Sequence, residues 1–295
     1  MWIILAISSA LCLGFYDIFK KLSVKGNNVL IVLLWSTFFG ALIMSPEIIS
    51  GISQGNWGFG NTITGHLLII VKSFIVLGSW LLGYTALKHL PLTIQGPINA
   101  TRPVLVLVGA LFIFGECLNV LQWAGILLGF LSLFMISRIG AREGVSMRHS
   151  RWIWMAVGAT VLGAVSALYD KYLLRFYQPL EVQAWYSLYQ CVIMTAVILI
   201  IHYRSGTQTP FKWRWTIPCI SVFLTVADVL YFYSLSFDTS SIATVSMIRR
   251  GSVLVSFLYG AFVLHEKNLR QKAIDLGILF ISLVLLIIGA NMNMN

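Results

Sequence analysis

The chain has 295 residues, of which 58% are hydrophobic and only 10% charged, with a mean hydropathy of +0.87. That balance excludes a soluble globular domain and identifies an integral membrane protein. The formal charge of +10 does not point to nucleic acid, because the position of the charges along the chain matters more than their sum.

Splitting the apolar runs at polar, Pro and Gly clusters predicts ten spans: 2–22, 28–46, 65–88, 92–114, 119–138, 151–174, 180–203, 213–236, 239–264 and 269–290. Each is close to the ~20 residues a helix needs to cross ~30 Å of hydrocarbon. Runs such as Val104 to Phe114 do not alternate apolar and polar residues, which excludes a membrane barrel and leaves a helical bundle. The first span follows no basic residue and precedes no small-residue cleavage site, so it reads as a retained helix. Cys12, Cys117, Cys191 and Cys219 stand singly, and the five histidines (His66, His89, His149, His202, His265) sit alone at span ends. Neither pattern predicts a metal, a cofactor or a disulfide framework.

Lys20, Lys21, Lys25, Lys88, Arg138, Arg142, Arg148, Arg151, Arg204, Lys212, Arg214, Lys267, Arg270 and Lys272 fall in or beside the odd-numbered connections, and the even ones hold only Arg175. By the positive-inside rule the odd connections are cytoplasmic and both termini lie outside, in a multi-pass protein of the cell (inner) membrane.

The sequence repeats itself. Tyr16-Asp17 near the end of the first span matches Tyr169-Asp170 near the end of the sixth, Gly83-Tyr84-Thr85 matches Phe232-Tyr233-Ser234, and Leu118 to Gly129 parallels Asn268 to Leu279. Two five-helix units, 1–139 and 151–290, are therefore expected, joined by a linker at 140–150. Because five is odd, the second unit enters from the opposite side, the inverted arrangement of an alternating-access carrier. The loop from Ser53 to Thr64, with Trp57, reads as an interfacial loop with an aromatic anchor. Glu116 and Glu266 are expected to cap the helices that follow them.

The stretch from Ile242 to Leu264 carries Arg249 and Arg250 near its middle, and Arg102 stands about halfway along the fourth span. An arginine at that depth costs at least about 2.5 to 3.5 kcal/mol, so it must face protein, water or an anion, and it is a functional-site candidate. Lys72 in the third span and Asp228 in the eighth, with Tyr84, Tyr231 and Tyr233, complete the candidate binding set. Gly96-Pro97 and Arg102-Pro103 permit a kink beside it. The bland alternative is internal ion pairing with Asp17, Asp170 or Asp228. Asp228 is either the counter-ion of an arginine or a proton-coupling carboxylate. Asp17 and Asp170, with Tyr16 and Tyr169, are candidate gate or coupling residues; the alternative is helix-end packing against Lys20, Lys21 or Lys171.

The ten spans, the duplication and the paired hairpins Phe114-Gly-Glu-Cys-Leu-Asn-Val-Leu-Gln-Trp-Ala-Gly125 and Leu264-His-Glu-Lys-Asn-Leu-Arg-Gln-Lys resemble chains with two EamA-type repeats in the drug/metabolite transporter superfamily. The resemblance implies a central cavity lined mainly by helices 1, 3, 4, 6, 8 and 9. Through its basic central residues the chain is also similar to the phosphate-translocator branch. That likeness implies anion-binding roles for Arg102 and Arg249-Arg250, although Arg-Arg stands where the branch has Lys-Arg.

The expected function is a secondary transporter for a small organic metabolite, anionic or phosphorylated, held by the central arginines, with exchange as one expected mode. A guanidinium suits a phosphate or carboxylate because its planar fork binds two oxygens at once. The alternative is an exporter of amino acids, other zwitterions or drugs. A membrane enzyme or receptor is more distant, since the sequence shows no zinc motif, nucleophile elbow or P-loop. The expected partners are the small-molecule substrate and the bilayer, with no nucleic acid, and the oligomeric state is left open.

Overall fold

The protein is described here from a computed structural model, which covers residues 2–114, 119–142, 150–173, 176–204, 210–235, 248–265 and 268–292. The described residues are almost wholly helical and include no strand. The helices are α1 (Trp2–Val24), α2 (Val29–Ser53), α3 (Ile63–His89), α4 (Leu92–Ala100), α5 (Arg102–Phe114), α6 (Val120–Arg142), α7 (Arg151–Leu173), α8 (Pro179–Arg204), α9 (Thr216–Leu235), α10 (Ser252–Phe262) and α11 (Leu269–Met292). By length and composition α1, α2, α3, α7 and α8 each suffice to cross a membrane. Large apolar side chains such as Leu67, Phe74, Leu127 and Leu199 are exposed around the bundle, where they face hydrocarbon in the membrane.

Two departures from the expected spans have local causes. Helix α2 runs to Ser53 instead of ending near residue 46, because Pro46 is accommodated inside it. The loop after it then folds back onto the protein. Phe59 is buried among Ile69, Leu173 and Val182, and its backbone N–H donates to Glu181 Oε1 at 2.7 Å. Trp57 remains partly exposed, with its ring stacked on His66 at 5.2 Å. Glu116 and Glu266 lie outside the described residues. The turn into α6 is closed by Asn119 and Gln122, each side chain accepting the other's backbone N–H at 2.9 and 3.0 Å, which satisfies donors that a helix start leaves open.

The fourth span is divided between α4 and α5 at Thr101, and α10 begins after Gly251. The two interruptions match. Thr101 N–H donates to Ile98 O at 3.3 Å and Val104 N–H to Thr101 O at 3.0 Å; 150 residues later Gly251 N–H donates to Ile248 O and Leu254 N–H to Gly251 O, both at 2.9 Å. Each is a single tightened turn of the 3₁₀ kind inside a longer helix. In the first half Pro97 and Pro103 remove the donors that would continue an α-helical ladder. In the second half no proline is needed, since Gly251 costs helix stability by itself.

The largest helix interfaces all join the two halves: α1 with α9, α3 with α7, α2 with α8 and α6 with α11. Exchange of the halves turns the first two into each other and leaves the last two unchanged. Small residues and hydroxyls make these contacts close. Ser9 Oγ donates to Ala227 O and Ser79 Oγ to Ala159 O, both at 2.7 Å. Such contacts are the expected glue where lipid removes any hydrophobic drive between helices.

Gly14 marks the tightest of these approaches. A Cβ there would stand 2.4 Å from Val255 Cβ on α10, so α1 and α10 would have to separate. Gly14→Ala is expected to lower stability in detergent by about 1 to 3 kcal/mol. Gly277→Ala, at a site with open space around the new carbon, is expected to stay within ~0.5 kcal/mol. Paired denaturant or thermal unfolding curves check the contrast.

Candidate functional site

The two tightened turns bring the arginines to the middle of the bundle. Arg250 directly precedes the break at Gly251, and Arg102 directly follows the one at Thr101. Arg102 and Arg249 are the like charges that act on Arg250. The Arg102 guanidinium lies flat against Gly163 of α7, where an added Cβ would come within 2.4 to 2.6 Å of its Cζ and nitrogens. Any larger residue at 163 would displace it.

Five cations and three carboxylates share this region. Lys20 Nζ pairs with Asp17 at 2.6 Å on α1 and lies 4.3 Å from the centre of the Tyr16 ring and 5.6 Å from that of Tyr84. Lys72 Nζ on α3 pairs with Asp170 on α7 at 2.7 Å and stands 4.8 Å from the centre of the Tyr186 ring. Arg249 pairs with Asp228, over the Tyr231 ring at 4.4 Å, and Gln183 of α8 donates to the other Asp228 oxygen at 3.2 Å. Among the described residues no carboxylate pairs with Arg102 or Arg250, and the Nε of each is buried without a hydrogen-bond partner.

Most of the expected residues therefore converge. Arg102, Arg249, Arg250, Lys72, Asp228, Tyr84 and Tyr231 all reach the charged centre, together with Asp17, Asp170 and Tyr16. Tyr233 does not, being 59% exposed on the outer surface. At 100° per residue it points about 140° away from Asp228, whereas Tyr231 is only one turn on. Tyr169 is spent between α7 and α3, its hydroxyl donating to Leu68 O at 3.2 Å. Asp228 is paired with Arg249, and Asp17 with Lys20.

Sequence reasoning missed the neutral groups. Gln95, Asn99 and Arg102 follow at i, i+4 and i+7, one face of a helix, and Thr160 Oγ1 of α7 donates to Asn99 Oδ1 at 3.1 Å. That spacing on an apolar span was a readable signal. Trp80, Tyr84, Gln183, Tyr186 and Gln190 line a small polar cavity between α2, α3, α8 and α9, with a free volume of about 20 Å³, on the scale of one or two waters. Residues from four helices build it, so no local pattern announces it. No group of three or more possible metal ligands occurs among the described residues.

The matching turns, the exchange-related interfaces and the central cations suit a duplicated membrane carrier, and comparison with known proteins decides the family. The sequence matches the EamA-like transporter family twice, at residues 1–138 and 150–288. The chain belongs to that family. It is thus an all-α, multi-pass membrane transporter of small molecules built from two five-helix repeats, in a family of transporters and not of enzymes. No curated protein matches it. Among solved structures it is similar to a chain described only as "Crystal structure of protein", with a TM-score of 0.64 and 16% identity over 97% of both chains, a likeness of fold alone.

In this EamA-like transporter the Arg249–Asp228 pair is mostly buried, at 20% and 17% side-chain exposure. Asp228→Asn would leave Arg249 as a third central arginine without a carboxylate. Breaking a buried pair on one side costs about 3 kcal/mol, so a clear loss of unfolding stability is expected. The double variant Asp228→Asn, Arg249→Gln should recover most of it, as a double-mutant cycle would read.

Proposed function

We propose that this transporter carries a small organic dianion, best met by a phosphate monoester, clamped between Arg102 and Arg250. The observation that carries the reading is the charge balance. Each of the three central carboxylates already has its own cation, Lys20, Lys72 or Arg249, and two guanidiniums are left over. Charges that lie uncompensated at membrane depth cost several kcal/mol each. A ligand bearing two negative charges removes that cost, and phosphate oxygens fit the guanidinium fork. An ammonium group, as on an amino acid, would find each of the three central carboxylates among the described residues already engaged, so the zwitterion-exporter reading is the weaker one.

The same balance favours exchange. An empty site with two bare arginines closes poorly, so loaded forms interconvert more easily than the empty one. The repeats are read as inverted, with both termini outside the cell membrane, and they rock about the central site in alternating access. Contacts at the two ends support this reading. On the face of the even connections, Phe59 in the first half is held by Glu181 in the second. On the opposite face Asn27 exchanges two hydrogen bonds with the backbone of Lys212, at 2.7 and 2.9 Å, and Arg214 donates to Leu22 O. Opening either end requires only one of these sets to part.

Thermal unfolding in detergent tests the clamp. At 100 times Kd a ligand that binds only the folded state adds about 2.7 kcal/mol. Phosphate monoesters are expected to raise the melting temperature of the native protein and to lose that effect in Arg250→Gln and Arg102→Gln. A shift produced by amino acids and not by phosphates would remove the anion assignment.

A further inference from the structure

A second set of unpaired cations lies outside the central site, where α1 turns into α2 and the chain enters α9. Aromatic and basic residues alternate from Phe211 to Trp215, the segment that leads into α9. Asn27, in the turn between α1 and α2, holds that segment through two hydrogen bonds to the Lys212 backbone, at 2.7 and 2.9 Å. The side chains of Lys212 and of Lys25, two residues before Asn27, are exposed, and no described acid pairs with either. None is at hand along the chain, since residues 18–46 and 182–227 contain no Asp or Glu.

Beside these lysines stands an aromatic face built by both halves. Trp213 meets the Trp35 ring of α2 edge-on at 5.3 Å and lies 6.3 Å from Phe39, and Trp215 follows at 6.4 Å from Trp213. These rings are not core, because Trp213 is 44% exposed and Trp215 80%. Tryptophans left open in this way sit at the level of the lipid headgroups, ring toward the chains and N–H toward water. The opposite end of the bundle lacks the combination. There Trp185 shares the lining of a cavity of about 230 Å³ with Glu47 and Glu181, which repel an anion.

We propose that an anionic phospholipid, from the leaflet that borders the odd-numbered connections, binds at this place. Its phosphate lies between Lys25 and Lys212, and its glycerol and first methylenes run along Trp213 and Trp215. Charge selects the headgroup, because each lysine at a membrane surface attracts acidic lipid and a zwitterionic headgroup brings no net charge to meet it. The rings add contact that is indifferent to the headgroup. The lipid joins the halves, since Lys25 belongs to the first and Lys212, Trp213 and Trp215 to the second. It lies beside the Asn27–Lys212 bonds, the Ser23–Thr216 hydroxyl contact at 2.6 Å and the bond from Arg214 to Leu22 O. Bound lipid therefore favours the form closed at this end. That consequence rests on the proposed alternating access; the binding site does not.

Native mass spectrometry tests it, on the full-length protein released from micelles that hold equal amounts of phosphatidylglycerol and phosphatidylcholine. The native protein is expected to retain phosphatidylglycerol, with its affinity falling about fivefold in Lys25→Gln or Lys212→Gln and further in the double variant. Trp215→Ala should weaken both lipids and keep the preference. Phosphatidylcholine retained as firmly by the native protein, or phosphatidylglycerol affinity unchanged in the double variant, overturns the proposal. If the double variant does not fold, unchanged affinity in both single variants overturns it instead. Displacement of the lipid by an equal concentration of glycerol phosphate would assign the site to a soluble phosphate and overturn it too. Arg250→Gln is expected to keep the adduct, so failure of the phosphate clamp is read separately; an adduct lost in that variant would place the lipid at the central arginines and remove this site. Amide hydrogen exchange at 210–216 should slow several-fold with phosphatidylglycerol, and an equal rate with both lipids would overturn the closing effect.

Discussion

The desolvation of charge is the constraint on which the arrangement of this bundle depends. Five cations and three carboxylates are brought among helices whose outer faces meet hydrocarbon, and each charge must be answered by a partner, a ring or a ligand. The protein answers three of the cations with acids, placing Tyr16, Tyr186 and Tyr231 beside them. Aromatic faces attract cations and exclude water, so the pairs stay ordered without further carboxylates. The two guanidiniums that remain, Arg102 and Arg250, have no carboxylate partner among the described residues, and the proposed substrate anion would answer them.

That economy needs thin contacts between helices. The Arg102 guanidinium fits only because residue 163 has no side chain, and α1 meets α10 only because residue 14 has none. These two glycines lie 149 residues apart, one in the first helix of each repeat. Serine hydroxyls bonded to backbone carbonyls across the halves add to this close packing. Contacts of this kind are short in reach and modest in energy. They suit surfaces that slide or part without exposing large apolar areas to one another's absence.

Differences between the repeats carry as much information as their likeness. Both halves tighten a central helix at the same register, one with prolines and the other with a glycine. Arginine flanks the break on its far side in the first half and on its near side in the second, so one shared geometry presents cations from two directions. Asp275 is the opposite case, a charge in one half where the other has glycine.

The sequence by itself determined the class, the ten-span plan, the duplication and the identity of the central ions. Hydropathy is additive along a helix, and an arginine in an apolar run is conspicuous in one dimension. It could also have given Gln95 and Asn99, which share the helical face of Arg102. Only the tertiary structure decided which charges pair. Lys20, Lys72 and Arg249 are equally basic as letters, and their partners lie three, 98 and 21 residues away. The exposure of Tyr233, the folding back of the loop at Phe59 and the burial of Asp275 are likewise properties of helix rotation and of neighbours from the other half. Such contacts depend on which face meets which helix, and no local run of residues encodes that.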